Sequence, residues 1–187
     1  MITSNEINKI FKKVLTPVLK INGFTKTEAR KSFGWHDECI WLFKIEAVGY
    51  YFSEVTGWPS MSVHASLGVF CEFFKCNEDI KVDKSGLLLP KLDQCHYTFD
   101  LSCRLDQSKY KSVLENPNES IRKDIWWIEP DGNNVYEVTE DIKRVFLSEG
   151  VSFLKGKSNK QDILKEKEDR EKFLYEIENK FAKGYGK

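Results

Sequence analysis

The run Gln94-Cys95-His96-Tyr97-Thr98-Phe99-Asp100-Leu101-Ser102-Cys103-Arg104-Leu105-Asp106 decides the fold. Cys95, Tyr97, Phe99, Leu101, Cys103 and Leu105 alternate with polar residues, and no position breaks the period of two. A strand sends successive side chains to opposite faces, so this segment is expected to bury one face and leave the other polar. That is the signature of an antiparallel sheet with one covered side.

Upstream lie two more strand-like runs. Cys39, Trp41, Phe43, Ile45 and Ala47 share one face of Cys39–Val48, while Ile40 and Leu42 make the first half of the other face apolar too. Met61–Phe74 sets Met61, Val63, Ala65, Leu67, Val69, Cys71 and Phe73 against Ser62, His64, Ser66 and Gly68. Phe24–Trp35 is a weaker strand, and Ile125–Ile128 a short one closed by the turn residues Pro130-Asp131-Gly132. Asn116-Pro117 opens a helical turn.

Helices flank the strands. Thr3 and Glu6 form a capping box ahead of Ile7, Ile10, Phe11, Val14, Leu15, Val18 and Leu19, which recur at helical spacing. Pro17 is expected to kink or divide this helix, and Asn22-Gly23 to end it. Val138, Ile142, Val145 and Phe146 mark a second amphipathic helix that Gly150 is expected to end. Lys155–Lys172 reads as a polar helix with ion pairs such as Glu166–Arg170 and Glu168–Lys172. Phe173, Leu174, Ile177 and Phe181 then restore an apolar stripe, expected to dock on the body or on a second copy as a homo-oligomer contact. The fold class is therefore α+β, with an antiparallel sheet of four to six strands packed on one face by helices. A single domain spans residues 1–155, and a charged helical extension spans 156–187.

Composition narrows function by exclusion. Lys plus Arg equals Asp plus Glu, 29 each, so net charge offers no basis for nucleic-acid binding. No apolar run reaches membrane-span length, and Met1–Glu6 lacks the basic start of a secretion signal, so a cytoplasmic protein is expected. The five cysteines, Cys39, Cys71, Cys76, Cys95 and Cys103, contain no Cys-x-x-Cys pair. Four fall on apolar strand faces and read as reduced core thiols. A zinc site from Cys71, Cys76, Cys95 and His96 lacks a standard spacing, so no metal and no cofactor are expected.

The order of signals resembles the bacterial family called domain of unknown function 4304 over about residues 4–155. The likeness rests on Leu19-Lys20-Ile21-Asn22-Gly23-Phe24, Ser62–Val69, Arg122-Lys123-Asp124-Ile125-Trp126-Trp127 and Gly150-Val151-Ser152-Phe153-Leu154. It implies an α+β fold and carries no catalytic residues across. The segment after Leu154 stands outside it, and the link Lys75–Asp93 reads as a local elaboration.

Two constellations stand out. Pairing of Met61–Phe74 with Gln94–Asp106 would put His64, Ser62 and Ser66 on one face with His96, Thr98, Asp100 and Arg104, a set suited to acid–base work or phosphate binding. A plain solvated sheet face is the competing reading, and no nucleophile or Gly-rich phosphate loop accompanies the set. Arg122, Trp126 and Trp127 form the second constellation: one Trp on a strand belongs to the core, and the other is core or an anchor for a protein partner. The expected function is a non-enzymatic protein-interaction module, such as a bacterial immunity or defence-associated protein. A small-ligand or phosphate-processing enzyme on the polar sheet face is the alternative.

Overall fold

A computed structural model describes residues 2–74, 79–108 and 122–184, with side chains for all but Thr56 and residues 176–184. The chain is α+β. Five antiparallel strands run in sequence order: β1 (Lys26–Thr27), β2 (Lys31–His36), β3 (Cys39–Ala47), β4 (Val63–Cys71) and β5 (Tyr97–Asp100). Helix α1 (Ser4–Ile21) precedes them, α2 (Gly49–Thr56) links β3 to β4, and α3 (Val135–Val145) follows. A π-helical turn, Phe146–Gly150, leads into α4 (Val151–Gly156), and α5 (Lys160–Gly184) ends the described chain.

Helix α1 starts where the capping box is expected, with Glu6 N–H donating to Thr3 Oγ1 at 3.3 Å and Thr3 N–H to Glu6 Oε2 at 2.8 Å. It does not divide at Pro17. Pro17 and Lys13 both face solvent, so water can satisfy the carbonyl that the proline frees. Ile7, Phe11, Val14, Leu15 and Leu19 stay buried along the other side. At ~1.5–3 kcal/mol per buried side chain, that face outweighs the ~3 kcal/mol cost of an interior proline.

The main core lies between the sheet and α1, α3 and α4, and includes Phe11, Phe24, Phe43, Leu67, Trp126, Ile142 and Phe146. Gly150 does not end the helix that contains Val138. Backbone stays helical through the π-turn, and the glycine serves close approach to the sheet, since a Cβ there would stand 2.8 Å from Leu67 Cδ1. A second, smaller core covers the other face where Ile40 and Leu42 are apolar. Phe33, Ile40, Leu42 and Phe70 meet Trp35, Ile80, Leu88, Leu89, Leu92 and Cys95 there. The link after β4 is thus a lid. Asp83 organises it, accepting from Ser85 N–H (2.8 Å), Ser85 Oγ (2.6 Å), Leu87 N–H (3.1 Å) and Lys26 Nζ (3.0 Å). Trp35 Nε1 donates to the Leu88 carbonyl at 3.2 Å.

Several expectations are corrected. Phe24–Trp35 is a hairpin of β1 and β2 rather than one strand. The Gln94–Asp106 run forms a ladder only over Tyr97–Asp100, because a 3₁₀ turn at Leu92–Gln94 precedes it and backbone donors beyond Leu101 turn to other segments. Cys103 N–H reaches the Lys123 carbonyl at 2.6 Å, and Arg104 N–H reaches Asp141 Oδ2 at 2.9 Å. Alternation of burial persists regardless: Leu101 and Cys103 are buried, Ser102 and Arg104 exposed. Cys95, ahead of the paired segment, packs on the lid side instead of the main core. Ile125–Ile128 makes a single bridge, Val63–Trp126, not a strand. Helix α2 went unforeseen. Glu166 pairs with Lys157 at 2.8 Å, and Lys167 meets Glu171 at 3.9 Å. Asn116-Pro117 and Cys76 lie outside the described residues.

A buried carboxylate joins these parts. Asp141 is fully buried on α3 and accepts from Trp126 Nε1 (2.8 Å), Arg104 N–H (2.9 Å) and Arg144 (2.6 Å). Asp141→Ala should cost about 3–5 kcal/mol in urea unfolding, since it strands buried donors. Arg144→Ala should cost about 1 kcal/mol or less, because Arg144 is largely exposed and two donors remain. Equal effects would contradict this assignment.

Candidate functional site

The polar face of the sheet is built in rows that the strand register fixes. One row reads Lys31–Lys44–Ser66–Asp100 across β2, β3, β4 and β5. The adjacent row toward one end pairs Glu46 with His64. Toward the other end, Phe33–Leu42–Gly68–Thr98 begins the apolar half that the lid covers. A Cβ on Gly68 would meet Cys95 Sγ at 2.5 Å, so a glycine there lets the lid seat directly on β4. Only the polar half stays open. It forms a groove of about 500 Å³ lined by Lys31, Lys44, Glu46, Thr98 and Asp100 from the sheet and Lys91, Leu92 and Asp93 from the lid edge.

The ionisable groups of the groove mostly have partners. Asp100 accepts from the buried Ser66 hydroxyl at 2.6 Å. Lys44 is ion-paired with Glu46, whose other oxygen lies 3.4 Å from His64 Nε2. Lys31 stands directly opposite Lys44, a like-charge pairing that antiparallel sheets disfavour. Burial, and after it Lys44, lowers its pKa, and its ammonium lies 5.0 Å from the centre of the Phe33 ring. Lys31, Lys44 and Lys91 were not singled out from sequence. The available signal was the change from the apolar pair Ile40 and Leu42 to the charged pair Lys44 and Glu46 on that face.

The expected His64–His96–Asp100–Arg104 set does not assemble. His96 lies between Phe70 and Phe74, each ring centre 5.0 Å away, and its Nδ1 accepts from Cys71 N–H at 3.0 Å. His64 and Phe70 are six residues apart on β4, so the two imidazoles are separated by roughly 20 Å at ~3.3 Å per residue. Arg104 has left the sheet and pairs with Glu149 of the π-turn. Of the four, Asp100 alone lines the groove.

The tryptophan constellation divides. Trp126 is fully buried and donates to Asp141, so it is core and not a binding residue. Trp127 is half-buried, its ring centre 5.0 Å from that of Trp58, and its N–H donates to Gln107 Oε1 at 2.6 Å. Arg122 pairs with Asp124 and its guanidinium lies 5.5 Å from the centre of the Phe52 ring. Among the described residues, no group of three His, Cys, Asp or Glu side chains is placed to hold a metal ion. No described helix is long and apolar enough to cross a membrane.

The C-terminal extension is anchored at its start. Ile163 is buried in the main core, Trp41 Nε1 donates to Ser158 Oγ at 2.6 Å, and Asn159 Oδ1 accepts from Gln161 N–H at 3.0 Å. Every residue from Leu164 to Tyr175 is exposed, including Phe173 (61%), Leu174 (49%) and Tyr175 (67%). The stripe therefore does not dock on the body through Phe173 or Leu174. The side chains of Ile177 and Phe181 lie outside the described residues.

Comparison with known proteins yields no match: no family model, no curated protein and no solved structure is similar to the chain.

Burial lowers the pKa of His96 and of His36, which packs on Trp41 with ring centres 3.8 Å apart. Both are favoured neutral in the folded state. Their contribution is fully present above the unfolded value near 6.5 and is lost as pH falls through the depressed folded values. Stability should therefore decline as pH falls below about 6.5, before ordinary carboxylates titrate. His96→Asn, which keeps an acceptor for Cys71 N–H, should flatten that slope in urea unfolding at a series of pH values. An unchanged slope would remove His96 from the account.

Proposed function

We propose that the chain is a non-enzymatic protein-interaction module of the cytoplasm, of the bacterial immunity or defence-associated kind, with α5 as its contact arm. The observation that carries this reading is the exposed group Phe173, Leu174 and Tyr175 on a helix whose first turns are anchored to the body. Exposed aromatic and aliphatic side chains on an extended polar helix suit a partner surface, where rings supply contact area at low entropic cost. The dispersal of His64, His96 and Arg104 speaks against acid–base catalysis on the sheet face. Membership of the domain of unknown function 4304 family is part of the same proposal and is supported by its implied α+β fold.

The second reading, a small-ligand or phosphate-processing enzyme, draws on the groove beside Lys31, Lys44 and Asp100. Lysine ammoniums can hold phosphate as point charges. Three carboxylates, Glu46, Asp93 and Asp100, line the same groove and oppose a dianion there, which places this reading second.

Replacing Phe173 and Leu174 together by Ser should leave thermal stability unchanged, because both side chains are exposed. The same change should abolish co-purification of a specific protein from the native host. If the partner is a second copy, light scattering should instead show the variant shifting from dimer to monomer. A wild-type chain that is monomeric and retains nothing the variant loses would reject the arm.

A further inference from the structure

Cys39 is the first residue of β3 and Cys71 the last of β4, and the register places them directly opposite each other. Next to them, outside the ladder, Glu72 N–H donates to the Glu38 carbonyl at 2.8 Å. Narrow and wide pairs alternate in an antiparallel ladder, so Cys39–Cys71 is a non-hydrogen-bonded pair. Cα atoms in such a pair stand ~4.5 Å apart with side chains close, inside the ~4.4–6.8 Å range of disulfides. The two sulfurs are 3.7 Å apart, in an S–H···S contact, and both thiols are free. Core packing alone explains an apolar side chain at each position. It does not call for two thiols on one rung.

We propose that Cys39 and Cys71 are a modification site: a dithiol that a low-molecular-weight disulfide such as oxidised glutathione converts to an intramolecular disulfide. Cys39 thiolate attacks one sulfur of the oxidant, forming a mixed disulfide and expelling one glutathione thiolate, which takes up the proton Cys39 lost. Cys71 then loses its proton and attacks Cys39 Sγ, expelling the second glutathione thiolate, which takes up that proton. Two protein thiols are oxidised and one glutathione disulfide is reduced to two thiols. Cys39 is the attacking group because the covering Ser158 carbonyl lies over its sulfur, so an opening of that cover exposes Cys39 first, with Cys71 Sγ 3.7 Å behind it.

Both thiols are buried, so the oxidant needs an opening. The rung ends the β3–β4 ladder, where local fraying is cheapest. What covers it is the junction between α4 and α5: the Ser158 carbonyl lies 3.7 Å from Cys39 Sγ. Lifting that junction breaks the Trp41–Ser158 hydrogen bond and the exposed Lys160–Glu38 ion pair, and withdraws Ile163 from the core. The inference does not rest on the interaction reading: it uses Ile163 at the base of α5 and none of Phe173, Leu174 and Tyr175.

The native chain is incubated with oxidised glutathione, quenched by alkylation and digested with trypsin without reduction. Cleavage after Lys44 separates the two cysteines. The expected product is a linked pair of peptides bearing Cys39 and Cys71, lighter by two hydrogens than their sum. Cys103, buried in the main core with burial holding its thiol protonated, should remain free. In Cys71→Ala, which lacks the second thiol, Cys39 should accumulate as the glutathione adduct. Ile163→Ala should speed linkage about tenfold or more, since each 1.4 kcal/mol of lost docking raises the open population tenfold. A stable adduct without linkage in the wild type, or linkage seen only in denaturant, would overturn the site. An unmodified Cys39 in Cys71→Ala would overturn its role as attacking thiol. An unchanged rate in Ile163→Ala would overturn the α4–α5 gate.

Discussion

The fold depends on one buried carboxylate. Removing an aspartate from water costs several kcal/mol unless its oxygens are fully partnered. Asp141 obtains its partners from three places in the sequence: the Trp126 indole, the Arg104 backbone and the Arg144 guanidinium on its own helix. Each donor needs Asp141 as much as Asp141 needs it, since a buried indole N–H without an acceptor is also penalised. The interaction therefore selects one position of α3 relative to the segments at 104 and 126. Apolar packing of Val138, Ile142 and Val145 would tolerate neighbouring positions; the hydrogen bonds do not.

With α3 located, the sheet acquires two unlike faces. One is covered by helices along its whole length. The other is covered only where Phe33, Ile40, Leu42 and Phe70 create an apolar area for the lid, and it opens at the row Lys31–Lys44–Ser66–Asp100. The boundary follows from side-chain identity along β3, where Ile40 and Leu42 give way to Lys44 and Glu46. The groove marks the end of the lid, and its mixed charges balance one another across it.

Much of this was legible in the sequence, and the parts that were not share a cause. Period-two alternation found β3, β4 and the buried faces of 97–103, because burial repeats every second residue whether or not a strand pairs. Pairing itself depends on partners distant in sequence, which is why the ladder stopped at Asp100 while the alternation continued to Cys103. The apolar second half-face of β3 was visible in Ile40 and Leu42, and the long link after β4 proved to be its cover. Alternation alone could not show that His64 and His96, on one nominal face, stand far apart along it, nor that the chain leaves the sheet before Arg104. Asp141 did leave a signal: an acid three residues after Val138 on an otherwise apolar stripe. Nothing in sequence said which donors would meet it. Gly150 was misread because a glycine at a helix end and one at a close helix–sheet contact look alike in sequence.

Stability along β4 is correspondingly uneven. At its first residue, Val63 exchanges both backbone hydrogen bonds with Trp126, at 3.0 and 2.7 Å, and the Trp126 indole donates to Asp141. That end is held by a buried charge network, and it opens only when the domain does. At its last residue, Cys71 faces Cys39 across the terminal rung, covered by the Ser158 turn at the base of α5. Here the cover is held by the Trp41–Ser158 indole–hydroxyl bond, the buried Ile163 and the exposed Lys160–Glu38 ion pair. Such contacts are worth a few kcal/mol together, less than the global stability of an ordinary domain. Openings at this end are therefore sub-global, and they release the base of the helix that carries Phe173, Leu174 and Tyr175. The same junction sets both the exposure of the dithiol and the seating of the arm, so a force or partner that tilts α5 also acts on the last rung of the sheet.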